Sequence, residues 1–306
     1  MKILVTGGAG FIGSHVVDAC VEQGHEVVVV DDLSTGRAEN LNPRAAFYHM
    51  DIRDPALGEV FEKHRPEAVN HHAAQIDVRR SVEDPAFDAD VNIVGTLRVL
   101  EHCRKTGVRR LIFASTGGAI YGEPQYLPAD EDHPIAPLAP YGMSKYAAEL
   151  FLRLVGKASG IACVVLRYAN VYGPRQDPLG EAGVVAIFAH AMLKGQTPTI
   201  FGDGTQVRDF VYVGDVVQAN VLALVRDPGG PVNIATGAGT SVSDLFAMLA
   251  QLAGFRGEPV YAAARAGEVH TIYLDSARAR ERLGWQPTTS LREGLAGTLE
   301  GFVGRR

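Results

Sequence analysis

The N-terminal stretch MKILVTGGAGFIGSH constrains the fold of this chain more than any other feature. An apolar run of strand length, Lys2–Thr6, is followed by glycines at positions 7, 8, 10 and 13 and then by a segment of helical period. Glycines permit a tight strand-to-helix turn and let the backbone approach an anion at the helix N-terminus. Asp31 ends the next apolar run, where a carboxylate can accept hydrogen bonds from ribose hydroxyls. The pattern predicts a dinucleotide site.

Strand-like and helix-like segments alternate through the first half of the chain. Strands are predicted at Lys2–Thr6, Glu26–Asp31, Ala46–His49, Ala68–His71, Leu111–Ser115 and Ala162–Arg167. Helices are predicted at Phe11–Gln23, Pro55–Lys63, Ala89–Thr106 and Tyr141–Gly156. This alternation is typical of a parallel sheet flanked by helices. The predicted fold class is therefore α/β, a Rossmann-type doubly wound parallel sheet.

Beyond about Tyr168 the alternation loosens, and segments rich in Gly, Pro and charge separate shorter elements. We interpret residues 1–170 as a dinucleotide-binding domain, to which segments near 206–226 and 231–236 return. Residues 171–306 are interpreted mainly as a smaller, discontinuous C-terminal lobe that binds substrate.

Composition excludes several classes of protein. The net charge of −6 argues against a duplex nucleic-acid binder, which usually presents a basic face. No apolar run has the length of a membrane span, and the chain opens directly on a strand, so we expect a cytoplasmic protein. The three cysteines, Cys20, Cys103 and Cys163, lack the spacing of metal ligands. No metal site is predicted.

The sequence favours NAD over NADP as the dinucleotide. Asp31 and Asp32 would bring two negative charges close to the extra phosphate of NADP. Arg37 offsets that repulsion only if its loop folds inward.

Tyr141 and Lys145 in YGMSK are four residues apart, so on a helix they share one face. A nearby ammonium favours the phenolate, and the pair can therefore take or return a proton near neutral pH. Alone, this spacing is more often a packing or surface pair. Behind a complete dinucleotide motif it predicts a catalytic acid/base.

With these motifs in place, the chain resembles the extended short-chain dehydrogenase/reductases, most closely the UDP-galactose (UDP-glucose) 4-epimerases. The matching motifs run nearly end to end: VTGGAGFIGSH, DDLSTG, DIRD, HHAAQ, NIVGT, YGMSK, LRYANVYGPRQ, VRDFVYVGDV and LGW. The resemblance implies NAD as cofactor, a UDP-sugar as substrate, and a homodimer built through the helices Ala89–Thr106 and Tyr141–Gly156.

The resemblance also assigns cofactor contacts. The residues implied to bind NAD are Gly7, Gly10, Phe11, Ile12, Gly13, Asp31, Asp32, Leu33, Ser34, Gly36, Asp51, Ile52, His72, Ala73, Ala74, Gln75, Asn92, Ser115, Tyr141, Lys145 and Tyr168. Asp51 and Ile52 would flank the adenine, and Tyr168 would lie near the nicotinamide. One departure is that Gln75 and Ile76 stand where many of these epimerases place a lysine near the nicotinamide ribose.

Substrate contacts are implied in the same way. They are Thr116, Gly117, Tyr141, Asn170, Gly183, Val184, Val185, Thr199, Phe201, Arg208, Arg265, Glu268 and Ile272. Arg208 and Arg265 resemble the two arginines that clamp the diphosphate, and Thr199 and Phe201 those that hold the uracil. Ile272 falls at the position that sets the size of the sugar pocket, and its intermediate bulk leaves N-acetylated UDP-hexosamines open as substrates.

The loop FASTGGAIYG, Phe113–Gly122, distinguishes among the reactions of this family. Related dehydratases carry Asp-Glu, and related decarboxylases Glu, where this chain has Gly117 and Gly118. We therefore expect 4-epimerisation: Tyr141 removes the proton of the 4-hydroxyl as hydride passes to NAD, and hydride returns to the other face of the 4-keto sugar. The alternatives are another nucleotide-sugar 4-epimerase, a reductase that releases NADH, or a non-catalytic NAD-binding sensor.

The same loop leaves the catalytic hydroxyl open. The usual Ser or Thr of the epimerases falls on Gly117, which has no side chain. The candidates are Thr116, Ser115 or a water molecule, and flexible glycines at 117 and 118 would let the loop turn Thr116 toward the sugar. The predicted catalytic set is Tyr141, Lys145, Thr116 and Ser115.

Overall fold

Seven strands form one parallel sheet in the computed structural model, which describes residues 1–178, 183–264 and 269–303. The strands, in chain order, are β1 (Lys2–Thr6), β2 (Glu26–Asp31), β3 (Ala46–His49), β4 (Ala68–His71), β5 (Arg110–Thr116), β6 (Ala162–Tyr168), β7 (Asn170–Tyr172), β8 (Thr199–Phe201), β9 (Val207–Tyr212), β10 (Val232–Ile234), β11 (Gly239–Ser241), β12 (Val260–Ala262) and β13 (Thr271–Ile272). The main sheet has the order β10-β6-β5-β4-β1-β2-β3. The order reverses between β1 and β4, which opens a crevice at their carboxyl ends. The predicted fold class is confirmed.

Helices cover both faces of this sheet. They are α1 (Phe11–Glu22), α2 (Leu57–His64), α3 (Val78–Glu83), α4 (Pro85–Ala89), α5 (Thr96–Thr106), α6 (Gly117–Ile120), α7 (Pro140–Phe151), α8 (Val184–Leu193), α9 (Val213–Ala223), α10 (Val242–Ala253) and α11 (Leu291–Val303). In the described ranges, none is long and apolar enough to cross a membrane.

Strand β2 shows why the sheet strands read as continuous apolar runs. Val27 and Val29 pack into a core cluster that contains residues of α1 and α9, whereas Val28 and Val30 pack into one with residues of α2, α5 and α7. Successive side chains of a strand point to opposite faces, so a sheet covered on both sides requires apolar residues at every position.

The later elements form a separate layer. Strands β11, β9 and β13, with β7 against β9, make a four-stranded sheet, and β8 pairs with β12. A third core cluster joins α8, α10 and α11 through Phe188, Leu245 and Leu295. Strand β10 instead pairs with β6 at the edge of the main sheet.

Two predicted helices contain wider turns that the periodicity did not indicate. Residues Asp90–Gly95, ahead of α5, and Leu152–Gly156, after α7, form π-helical turns. Such turns often occur at functional sites. The first carries Asn92 into the interior, where the residue is 1% exposed.

Candidate active site

The glycine turn between β1 and α1 has the shape of an anion site. Gly7 has a φ of +69°, and a Cβ placed there would lie 2.6 Å from the backbone nitrogen of Ala73. A Cβ at Gly13 would lie 2.1 Å from the Gly7 carbonyl oxygen. Gly10 caps α1 without a side-chain hydrogen bond, and the first-turn N–H groups of a helix can bind an anion. The turn fits a pyrophosphate held by backbone N–H groups.

Asp31 joins this turn to the next loop. Its Oδ2 accepts a hydrogen bond from the backbone N–H of Ala9 at 2.9 Å, and its Oδ1 accepts one from Leu33 at 2.8 Å. Burial raises the pKa of Asp31, while these two hydrogen bonds lower it. Gly36 is required beside it, because a Cβ there would lie 2.6 Å from Asp31 Oδ1. Asp31 therefore lies where an adenosine ribose would approach the glycine turn.

The charged side chains of Asp32 and Arg37, in the loop after Asp31, interact with groups close to them. Asp32 Oδ1 accepts hydrogen bonds from the backbone and hydroxyl of Ser34. Arg37 pairs with Asp177 at 2.9 Å and with Glu39 at 3.4 Å. The Arg37 guanidinium is thus engaged with other carboxylates, which leaves the acidic pair to disfavour the extra phosphate of NADP.

Other predicted cofactor residues follow the crevice along the carboxyl ends of the strands. The ring of His72, just after β4, stacks on Tyr168 at the end of β6, with centroids 6.4 Å apart. The Tyr168 hydroxyl donates to Asn220 on α9. Ile52 is buried, whereas the Asp51 carboxylate is paired with Arg53 at 2.6 Å, which lowers the pKa of Asp51. An adenine next to Asp51 would meet an already neutralised carboxylate.

The helix α7 brings Tyr141 and Lys145 to the same crevice. Lys145 is 4% exposed, and its Nζ lies 4.7 Å from the centroid of the Phe113 ring on β5. Burial lowers the pKa of Lys145 to about 8, and the charges of Asp88 and Glu149 oppose that change. The ammonium is therefore retained at neutral pH.

The phenol of Tyr141 behaves differently from the sequence expectation. Burial raises its pKa to about 12, while a hydrogen bond from the Thr116 hydroxyl favours the phenolate. Desolvation of the charged form thus outweighs the effect of the Thr116 hydroxyl in the protein alone. Forming the phenolate near neutral pH requires additional positive charge in the crevice.

The structure separates the two candidate hydroxyls. Thr116 ends β5 and its hydroxyl lowers the pKa of Tyr141, whereas the hydroxyl of Ser115 donates to Glu149 deeper along α7. Adjacent residues of a strand point to opposite faces, so the two side chains cannot both reach the phenol. Ser115 lies in a buried polar cluster with Glu149, and its catalytic role stays a prediction.

The role expected for the two glycines of this loop was also wrong. Neither Gly117 nor Gly118 has a positive φ; both lie in α6, and Thr116 keeps extended backbone. Space is tight at Gly117 but not at Gly118. A Cβ at Gly117 would lie 2.3 Å from the Cδ1 atom of Leu274, and one at Gly118 would lie 3.6 Å from Asn170 Oδ1 and 3.9 Å from Thr116 Oγ1. A Cβ at Gly118 would therefore make only ordinary contacts with Asn170 and Thr116.

The predicted substrate residues are distributed over the later layer. Arg208 on β9 donates from Nη1 to the carbonyls of Val207 and His270, and it lies opposite Ile272 in the β9–β13 pairing. Ile272 is 2% exposed. Phe201 on β8 is 39% exposed, as expected of a ring available for stacking.

The remaining predicted substrate residues lie at the start of α8 or outside the described residues. Gly183 caps α8, which begins at Val184. The side chain of Val185 is buried in the core, so only its backbone can contact a ligand. Arg265 and Glu268 lie outside the described residues.

Sequence reasoning missed two buried acids that surround the pair. Asp88 on α4 is 1% exposed and Glu149 on α7 is 5% exposed. Glu149 follows Lys145 at helical spacing, which is a signal that could have found it. Asp88 lies in a short helix that the apolar pattern does not reveal.

Comparison with known proteins accords with this site. The model of the NAD dependent epimerase/dehydratase family matches residues 3–235. A UDP-glucose 4-epimerase of Mycolicibacterium smegmatis is 47% identical over 99% of this chain and 98% of its own length. The crystal structure of a Thermotoga maritima UDP-glucose 4-epimerase with UDP-glucose is 52% identical, with a TM-score of 0.98 over 100% of this chain and 99% of that one. A Thermus thermophilus UDP-glucose 4-epimerase in complex with NAD is 45% identical, with a TM-score of 0.95 over 100% of both chains. The chain belongs to the NAD dependent epimerase/dehydratase family.

Proposed function

We propose that this protein is a UDP-glucose 4-epimerase that interconverts UDP-glucose and UDP-galactose with NAD. The observation that carries the proposal is the Thr116 hydroxyl next to Tyr141, where it favours the phenolate, in a chain whose glycine turn fits a pyrophosphate. The adjoining positions hold Gly117 and Gly118, so the acid that an elimination needs is missing there. The relatives named UDP-glucose 4-epimerase, and the structures with UDP-glucose and with NAD, support the same choice.

The chain's own residues account for the proton transfers. Tyr141, as phenolate, removes the proton of the sugar 4-hydroxyl and later returns it. Thr116 donates a hydrogen bond that stabilises the phenolate, and the Lys145 ammonium adds positive charge. NAD, when bound, accepts and returns the hydride and brings a further positive charge to the crevice. The glycine turn and Asp31 would hold its pyrophosphate and ribose.

The direct test is a panel of nucleotide sugars incubated with the purified protein and scored for the 4-epimer. UDP-glucose and UDP-galactose should interconvert, and NAD should be released when the protein is denatured. N-acetylated UDP-hexosamines form the second arm, since Ile272 is smaller than the tyrosine that narrows such pockets. Binding of NAD without turnover of any sugar would leave the sensor interpretation instead.

Thr116→Val removes the hydroxyl and keeps the shape of the side chain. We expect kcat to fall by roughly 10- to 100-fold, because a hydrogen bond to a charged group contributes about 1.5–3 kcal/mol. The melting temperature should change little. Ser115→Ala is the matched control: it should lower the melting temperature by removing a buried hydrogen bond to Glu149, with kcat nearly unchanged. The reverse pattern would assign the catalytic hydroxyl to Ser115.

We also propose that the protein is a homodimer. Large apolar side chains are exposed on α7 and on the π-helical turns beside it: Phe151 is 41%, Leu154 65%, Val155 37% and Val94 39% exposed. Exposed apolar side chains grouped in this way mark interaction surfaces. A second copy, pairing the same helices, would cover them.

Leu154→Glu should convert the dimer to a monomer, because it places a charge at the centre of that surface. The mass measured by light scattering during size-exclusion chromatography reports the change. Val225→Glu is the control, since Val225 is 70% exposed but lies after α9. A Leu154→Glu protein with the wild-type mass would exclude this surface.

A cytoplasmic location is part of the proposal. Cys20, Cys103 and Cys163 form no disulfide, as expected in a reducing compartment.

A further inference from the structure

A buried carboxylate lies next to the catalytic pair and has no part in the mechanism above. Oδ1 of Asp88 accepts hydrogen bonds from Gln75 Nε2 at 2.8 Å and from Asn92 Nδ2 at 3.1 Å. Among the described residues, its Oδ2 is buried and has no hydrogen-bond partner. Burying a carboxylate with unused acceptor capacity is costly unless a nearby positive charge compensates it. The position of Asp88 therefore calls for a cation close by.

Hydrogen bonds lead from Asp88 to the backbone of Tyr141. Asn92 Nδ2, which donates to Asp88, lies 3.1 Å from Ser144 Oγ, and the Ser144 hydroxyl donates to the Tyr141 carbonyl at 3.0 Å. From the other side, the backbone N–H of Gln75 donates to Asn92 Oδ1 at 2.9 Å. Asp88 thus anchors the amide that holds the first turn of α7.

The charge of Asp88 acts on both members of the pair. It raises the pKa of Lys145, opposing the burial that lowers that pKa to about 8. It also raises the pKa of Tyr141. Both effects have the sign expected when an anion lies close to an ammonium and to a phenol.

Among the other titratable groups around the lysine, Glu149 also raises the pKa of Lys145, but Glu149 is itself paired with Arg167. From the end of β4, the His71 and His72 rings are neutral, since burial lowers the pKa of each to about 3. On α7 itself, Glu149 is bound bidentately by Arg167 at 2.7–3.2 Å. Asp88 is the nearby carboxylate with an unbonded oxygen.

We propose that Asp88 is a positioning residue for the Tyr141–Lys145 pair, holding the first turn of α7 through Asn92 and Ser144 and supplying the fixed negative charge that retains the Lys145 ammonium in its buried site. The inference depends on the proposed function only in that this pair does the chemistry.

Asp88→Asn keeps the shape and removes the charge. Because the lost anion raised both pKa values, the acidic and alkaline limbs of the kcat–pH profile, measured with saturating NAD, should both move to lower pH by roughly one unit. A second readout needs no turnover: the ultraviolet phenolate signal that Tyr141→Phe deletes should develop at lower pH in the Asp88→Asn background. That signal tests Asp88 even if no sugar is epimerised.

Two variants separate charge from hydrogen bonding. Asp90→Asn removes a carboxylate nearby, but Asp90 is half exposed and paired with Arg53, so neither limb should move. Ser144→Ala cuts the hydrogen-bond chain and should lower kcat without moving the limbs. If Asp88→Asn fails to fold, Asp88→Ser removes the same charge and must give the same shift. If Asp88→Asn or Asp88→Ser folds and both limbs of its kcat–pH profile stay at the wild-type pH, the proposal is overturned.

Discussion

Tyr141→Phe is expected to reduce kcat by about 10³-fold, the largest effect on activity of any single change in this chain. A positioned general acid/base contributes roughly 10²- to 10⁴-fold. The phenol of Tyr141 supplies that group, and the Thr116 hydroxyl favours its charged form. Removing one hydroxyl leaves the ring packing intact, so folding and the NAD content should stay at wild-type levels. Epimer formation and released NAD are measured on the same preparation.

The matched control is Tyr146→Phe on the same helix. Tyr146 is half-buried and packs against the main core cluster, away from the pair at helical spacing. Its loss of a hydroxyl should leave kcat within a few-fold of wild type. Turnover by Tyr141→Phe that matched this control would remove Tyr141 from the mechanism.

Glu149→Gln is expected to lower the free energy of unfolding by about 3–5 kcal/mol, because it leaves a buried cation without its partner. Glu149 and Arg167 are 6% and 4% exposed in their side chains and lie 2.7 Å apart. Arg167 also donates to the Tyr121 hydroxyl, which in turn donates to Asn233 on β10. At roughly 2–4 °C per kcal/mol, the melting temperature should fall by about 10 °C.

The comparison that isolates burial is Glu101→Gln. Glu101 forms an exposed pair with Lys105 one turn along α5, at 2.7 Å. Exposed pairs contribute about 0–1 kcal/mol, so its melting temperature should scarcely change. The double variant Glu149→Leu with Arg167→Met removes both charges and should recover much of the loss. If Glu149→Gln and Glu101→Gln lowered the melting temperature equally, the buried pair would contribute no more than the surface pair.

The sheet and its dinucleotide turn could be predicted because their residues obey local rules. The apolar run Val27–Val30 indicates a buried strand, and the glycines at 7, 10 and 13 indicate a tight turn. The family resemblance supports the predicted helices as well. The Tyr141–Lys145 pair could be predicted from its helical spacing together with the dinucleotide motif ahead of it.

The remainder of the site depends on contacts between distant segments. The packing of the loop after Thr116 could not be predicted, because Gly117 lies against Leu274, which is far along the sequence. Asp88 was missed because its importance arises from Asn92, which a π-helical turn carries inward. Periodicity at 3.6 residues does not encode such a turn.

The pairing of β10 with β6 has a consequence for the order in which the protein is made. During synthesis, the chain through Tyr168 leaves the ribosome before Val232–Ile234, so one edge of the nascent sheet stays unpaired. Helix α1 likewise waits for α9 to cover its apolar side. Contacts between segments distant in the sequence slow folding, and apolar surface stays exposed until they form. A ribosome stalled before β10 would therefore display an aggregation-prone sheet of six strands.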